Sequence, residues 1–276
     1  MKAVRYFINR WILRRRHLRV RAQPFDLELK VCTADVIGRH LYKHGSHDAE
    51  ITGFLRRHLH IEPHDVLFDI GANIGWYSLI FDRMAPEDVD IFAFEPEPDN
   101  FALLEQNLAQ NGASKVHAIR MGASDREESR KLHLYGKSNR GRHSLLPIND
   151  GGTIDVPVVP LDTFWAERHL GARTVRLLKI DIEGYEYIAL KGAGAVLGRC
   201  RAVLAEYAPG YMQKAGIEPV RMLQLLRGCG FTPHFLRGEE KIAADAGELA
   251  RSERRVNLFW EKSPAASGSS PPRAGG

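Results

Sequence analysis

Three places in this sequence hold residue types and spacings that can do chemistry. The stretch LFDIGANIGWYS, residues 67–78, opens with an apolar run carrying Asp69 and breaks at a turn containing Gly71, Asn73 and Gly75. Apolar residues then resume at helical spacing. A strand, a glycine turn and a helix start form a cradle for a cofactor. Dinucleotide turns use three glycines, G-x-G-x-x-G, to bring backbone amides against a pyrophosphate. Here the two glycines stand four positions apart, and a carboxylate at Asp69 repels a diphosphate while attracting a cationic amino group. S-adenosylmethionine answers that description, because it carries a sulfonium and an ammonium and no phosphate.

The second place is Glu95, at the end of the next apolar strand, about twenty residues beyond the turn. A carboxylate there accepts both hydroxyls of a ribose, which suits NAD as well as S-adenosylmethionine; its other reading is a helix-capping acid before Pro96. The third is LLKIDIEGYE, residues 177–186. Asp181 and Glu183 close a central strand, and strand alternation puts both on the face of Lys179. Charges at the end of a buried strand are costly unless paired or functional, so a Lys179–Asp181 ion pair is the structural reading. Glu206 ends the neighbouring strand and faces the same crevice. A protic acceptor must lose a proton as it attacks the methyl group. The candidate bases are Asp181, Glu183, Glu206 and His143, the last in the polar loop SNRGRHSLL, with a carboxylate preferred. A divalent cation held by Asp181, Glu206 and Asp162 is an alternative; no ligand spacing demands it, and the metal-free site is favoured.

The elements that must position these residues follow from periodicity. Strands are expected over 66–70, 90–95, 115–121, 175–182 and 202–207, joined by crossovers in an α/β fold with helices on both faces of a parallel sheet. One helix starts after Pro98 and Asp99, aligns Phe101, Leu104 and Leu108, and stops at Asn111-Gly112. Another covers 220–230, and strands at 231–236 and 255–262 form a closing hairpin-like pair.

With 276 residues, 44% hydrophobic and 26% charged, the chain is expected to fold as one globular domain over 31–262. Its net charge of +5 is concentrated before the first acid, Asp26. There Val4, Phe7, Ile8, Trp11 and Leu18 recur at helical spacing among arginines. Residues 1–30 are therefore read as a basic amphipathic arm, which either lies on an anionic membrane surface or packs beside the domain. The arm lacks the interleaved aromatics of a single-strand-binding surface, so nucleic acid is disfavoured. The tail 263–276 is small and proline-rich and is read as disordered. Scattered cysteines, and the lack of a spanning or signal segment, point to a cytoplasmic protein with peripheral contact at the inner membrane face.

Several motifs stand in register: DIGANIGWYS, AFEPEPDNFALLEQNLAQNG, GASD, VVPLDTF and LKIDIEGYEYIALKGA. In this order and spacing, over roughly Asp35 to Tyr207, the chain resembles the FkbM family of S-adenosylmethionine-dependent methyltransferases. Upstream, DVIGRHLYKHGSHDAE looks like the family's lead-in, ending at Glu50. The resemblance implies a Rossmann-like class I methyltransferase fold, with a seven-stranded, mostly parallel sheet whose last strand is antiparallel. It implies that Glu50, Asp69, Gly71, Asn73, Gly75, Glu95 and Asp181 surround the cofactor, with Ala123, Ser124 or Asp125 beside the adenine. It also implies O-methylation, often of sugar hydroxyls, hence a carbohydrate or glycolipid acceptor. The competing readings are an NAD(P)-dependent oxidoreductase and a non-catalytic binding protein on the same sheet.

Overall fold

The computed structural model describes Tyr6, residues 8–136 and residues 139–262. Strand and helix alternate as the apolar periodicity requires. The strands are β1 (His17–Ala22), β2 (Leu27–Cys32), β3 (Val66–Ile70), β4 (Asp90–Phe94), β5 (Val116–Ile119), β6 (Gly122–Ala123) and β7 (Glu128–His133). They continue with β8 (Thr153–Val159), β9 (Val175–Ile180), β10 (Cys200–Tyr207), β11 (Phe231–Arg237), β12 (Glu240–Ala243) and β13 (Val256–Lys262).

The central sheet runs β12-β11-β13-β10-β9-β3-β4-β5. β5, β4, β3, β9 and β10 are mutually parallel, while β13 is antiparallel to both β10 and β11. This is the class I methyltransferase arrangement with one strand added: eight strands stand where seven were expected. The extra strand, β12, folds back antiparallel on β11 at the sheet edge through Gly238, whose φ of +58° suits a tight reversal. The two late strands do pair, but β13 enters between β10 and β11 instead of extending the edge.

Side-chain alternation builds a core on each face of the sheet. From β3, Val66, Phe68 and Ile70 enter one apolar cluster and Leu67 the other. All five residues of β3 are buried, as befits a central parallel strand. The helix Pro98–Asn111 begins with proline at its first turn, is capped by Glu97 accepting from the Asn100 amide at 2.7 Å, and ends at left-handed Gly112. The sequence-predicted helix at 220–230 forms over Val220–Gly228.

The basic arm departs from the single helix expected. A short helical turn covers Ile8–Ile12, and the chain then enters the β1–β2 hairpin. Leu18, Val20 and Ala22 are buried while Arg19 and Arg21 face out, so from His17 onward the apolar period is two. Val4, Phe7 and the tail 263–276 lie outside the described residues.

A second small sheet, β6-β8-β7, stands beside the carboxyl edge of the main one. After β3 the chain moves outward to β4 and β5; after β9 it moves the other way to β10. The order therefore reverses between β3 and β9, and a crevice opens where their carboxyl ends diverge.

Candidate active site

The turn after β3 forms the floor of this crevice. Gly71 has φ +76°, and a Cβ there would stand 2.2 Å from the Asp181 carbonyl oxygen; Gly75 has φ +91° and would meet Leu104 at 2.8 Å. Both positions therefore require glycine. The turn's amides are spent inside the protein. Gly71 and Ala72 both donate to the Phe94 carbonyl, at 3.0 and 2.9 Å, Gly75 donates to Ala72 at 2.8 Å, and the Asn73 amide donates to Glu95 Oε2 at 2.9 Å. Those four N–H groups are not presented to a pyrophosphate, which removes the basis of a dinucleotide site.

Glu95 follows β4 directly. Its Oε1 accepts from the Glu97 amide at 3.0 Å, and burial pushes its carboxyl up to about 7. With Phe94, Pro96, Ala123 and Leu145 it lines a pocket that also reaches Gly71, Asn73 and Asp181. The side-chain oxygens of Asn73 and Asn100 face this region buried and without a partner. Unpartnered buried acceptors at an apolar slot, with a carboxylate at its edge, fit an adenosyl group bearing amino and hydroxyl donors.

A second lobe of about 340 Å³ continues past Gly71, Asn73 and Gly141 toward Trp76, Tyr77, Lys179, Asp181 and Arg255. Asp181 borders both lobes. The nearest carboxylate oxygens of Asp181, Glu183 and Glu206 lie within 4.8 Å of one another. Strand alternation does not produce this: β9 stops at Ile180, and Glu183 sits in a turn at φ +58°. Glu186 stabilises that turn by accepting from the Ile182 and Gly184 amides at 2.8 and 3.2 Å. Arg255 supplies the positive charge, pairing with Glu183 at 2.8 Å and with Glu206. Burial raises the Glu183 carboxyl to about 7 and pushes Glu206 up as well; the neighbouring Asp181 charge adds to both shifts. Tyr211 lies between Arg255 and Arg142, its ring 5.6 and 5.8 Å from the two guanidinium carbons.

The structure does not bring every expected residue to the crevice. Asp69 is fully buried beneath the turn, accepting from Ser78 Oγ at 2.6 Å and pairing with Lys179 Nζ at 3.0 Å. Lys179 therefore pairs with Asp69, not with Asp181 as strand alternation suggests, and it is Lys179 that borders the cleft. Glu50, on the helix Ala49–His58, turns outward and accepts from the Gly238 amide. Asp48, two residues earlier, faces the cleft and accepts from the Tyr77 hydroxyl at 3.0 Å. Of the three GASD candidates, Ala123 lines the pocket, Ser124 bonds Tyr185 Oη at 2.8 Å, and Asp125 pairs with Lys191 at 2.8 Å. Asp162 caps the helix Gly194–Arg199 through the Ala195 and Val196 amides and, among the described residues, joins no carboxylate cluster; Glu183 takes the third place. His143 does border the pocket lined by Glu95, but its Nδ1 accepts from the Tyr135 amide at 2.9 Å, and burial with the Arg140 charge lowers its pKa to about 4. A neutral ring whose Nδ1 lone pair is engaged is a donor at Nε2, not a base.

Arg255, Tyr211 and Asp48 were missed by sequence reasoning. Arg255 lies 49 residues beyond Glu206, and only the register of β13 on β10, with Glu206 opposite Asn257, brings it to the site. No local pattern announces that pairing.

Comparison with known proteins decides the lineage of this crevice. The model of the methyltransferase FkbM domain matches residues 69–233. The chain belongs to the FkbM methyltransferase family. It is 31% identical over 210 residues to the 31-O-demethyl-FK506 methyltransferase FkbM of Streptomyces tacrolimicus, covering 65% of this chain and 77% of that protein. Hexuronic acid methyltransferase AglP of Haloferax volcanii is 27% identical over 192 residues, covering 70% of this chain and 69% of AglP. The crystal structure of methyltransferase FkbM from Methylobacillus flagellatus superposes with a TM-score of 0.45 at 15% identity, over 73% of this chain and 44% of that longer chain. This FkbM enzyme is thus a methyltransferase, and membership implies S-adenosylmethionine as methyl donor. Glu95, the unpartnered acceptors of Asn73 and Asn100, and the spent turn amides are the features of the crevice that fit it.

Proposed function

We propose that this FkbM methyltransferase methylates a hydroxyl group of a carbohydrate or glycolipid. The observation that carries this reading is the convergence of Asp181, Glu183 and Glu206 with Arg255 at the far end of the cofactor crevice. Vicinal hydroxyls need several acceptors and donors at close range, and this cluster offers both beside an aromatic ring at Tyr211. The similarity to AglP, named for a hexuronic acid, supports the same acceptor class.

S-adenosylmethionine supplies an electrophilic methyl group when bound. The residues of this chain have three tasks around it. Glu95 would accept the ribose hydroxyls, the turn from Gly71 to Gly75 would fix the bound position, and Lys179, engaged with Asp69 and the Gly71 carbonyl, would hold that turn in place. Asp181 is the base: it borders both lobes, is only half-buried, and has neither of its oxygens engaged by Arg255. Glu183 and Glu206, held by Arg255, orient the acceptor. Positioning two reactants in this way is worth roughly 7–11 kcal/mol of barrier, and a placed base adds about 10²–10⁴-fold.

The test is calorimetric titration with S-adenosylhomocysteine and, separately, NAD and NADP, followed by turnover assays over neutral sugars, uronic acids and glycolipids. Binding of the homocysteine product together with turnover on a sugar supports the reading. Binding without turnover on any glycan, but with turnover on a non-sugar hydroxyl, refutes the acceptor class.

A further inference from the structure

The N-terminal segment places apolar and basic groups where the methyl-transfer site makes no use of them. Trp11, Ile12 and Leu13 are consecutive and 61%, 64% and 53% exposed. An isolated exposed apolar residue is ordinary, but three adjacent ones form a protrusion that water does not favour. Basic residues surround them. Arg10 stacks over the Trp11 ring at 4.9 Å, and Arg14, Arg15 and Arg16 follow at once, all exposed. Among the described residues these three form no ion pair; the pairs Arg19–Glu28 and Arg21–Asp26 lie further along.

Behind the protrusion, Arg15, Arg16, His17, Lys30 and Arg140 line a groove of about 670 Å³. Its one acid, Asp99, is paired with Arg140 at 3.0 Å. Partial burial and the positive charges of Lys30, Arg140 and Arg16 depress the pKa of His17, in keeping with a concentrated positive potential. Arg140 also borders the adenosyl pocket, so the groove and the catalytic crevice meet at this residue.

We propose that residues 10–17 dock this enzyme on an anionic bilayer, with Trp11, Ile12 and Leu13 entering the interface and the surrounding arginines and groove receiving lipid phosphates. Apolar side chains with a basic collar are the composition that interfacial binding requires. A purely electrostatic nucleic-acid surface gains nothing from exposed isoleucine and leucine. Among the described residues no helix is long and apolar enough to cross a membrane, so the contact is peripheral. The proposal holds whatever the methyl acceptor is.

The test uses the full chain and needs no turnover. Vesicles of phosphatidylcholine, with and without phosphatidylglycerol, are mixed with the protein and followed by co-sedimentation and tryptophan emission. Trp76, Trp165 and Trp260 are 3%, 5% and 0% exposed, so a blue shift on binding reports Trp11. The expected result is partition onto phosphatidylglycerol vesicles, reversed by high salt, with a blue shift that is lost in Trp11→Phe. Arg14→Gln, Arg15→Gln and Arg16→Gln together should weaken partition by about a hundredfold, with binding of S-adenosylhomocysteine unchanged as the check on folding. Equal binding to pure phosphatidylcholine, an unchanged emission spectrum, or binding of a single-stranded oligonucleotide without binding of vesicles overturns the proposal. These wild-type measurements decide it even where a variant fails to fold.

Discussion

Lys179 Nζ lies 3.0 Å from Asp69 Oδ1 beneath the glycine turn, with both side chains buried. The same ammonium donates to the Gly71 carbonyl at 2.9 Å, so one ion pair ties β9, β3 and the glycine turn together. Removing either partner strands a charge in the interior. Asp69→Asn should lower stability by about 3–5 kcal/mol, and Asp69→Asn with Lys179→Met should cost less than the sum of the single changes; urea denaturation of the three variants measures this. Burial works to lower the Lys179 pKa, but Asp69 and Asp181 outweigh it and raise the value above 10.5. The contribution of the Lys179 ammonium is therefore fully present just below pH 10.5 and is lost as pH climbs through its raised value in the folded state.

Glu95 should make cofactor binding pH-dependent. Burial holds its carboxyl at about 7 despite the two amides that favour the anion. Ribose hydroxyls bind the anion best, so affinity for S-adenosylhomocysteine should rise with pH and level off above 7, changing by up to about tenfold per unit below it. The free protein behaves oppositely. Its folded state holds a proton that the unfolded state releases near 4.5, so its stability falls as pH rises from 4.5 through 7. Titration calorimetry from pH 5.5 to 8.5 tests the first statement, and Glu95→Gln should flatten the profile.

Gly71→Ala should abolish cofactor binding. The added methyl lands 2.2 Å from the Asp181 carbonyl in a backbone conformation with φ +76°. Something must shift, and the displaced group would be either the turn or the Asp181 strand end. Gly112→Ala is the control. It also has positive φ, but a methyl added there meets no atom within 4 Å, and it should cost only about 1–2 kcal/mol of stability for the left-handed backbone, leaving binding intact.

Asp181 and Glu206 should separate in kinetics. Asp181→Asn should lower kcat by about 10²–10⁴-fold while the affinity for S-adenosylhomocysteine holds. Glu206→Gln should act mainly on the acceptor KM, because its carboxylate is held by Arg255. Full activity of Asp181→Asn would remove it as the base.

Much of the candidate site's geometry was legible in the sequence because it is local. The glycine turn, Glu95 after its strand and Asp181 after β9 each depend on a strand followed by a turn, and short-range periodicity reveals that pattern. The arm shows where such reading stops. Val4, Phe7, Ile8, Trp11 and Leu18 suit a helical repeat, yet pairing with β2 draws Leu18 into a strand, because hairpin hydrogen bonds and burial of Leu18, Val20 and Ala22 outweigh a weak helical preference.

The sequence by itself determined the α/β alternation, the glycine turn, the carboxylate after the second crossover strand and the family, since each is carried by residues near one another in the chain. Tertiary structure alone decided that Lys179 neutralises Asp69 beneath the turn, that Glu50 faces away while Asp48 faces in, and that Arg255 completes the carboxylate cluster. These pairings depend on sheet register and on which buried charge finds a partner, and both are settled only when distant segments pack.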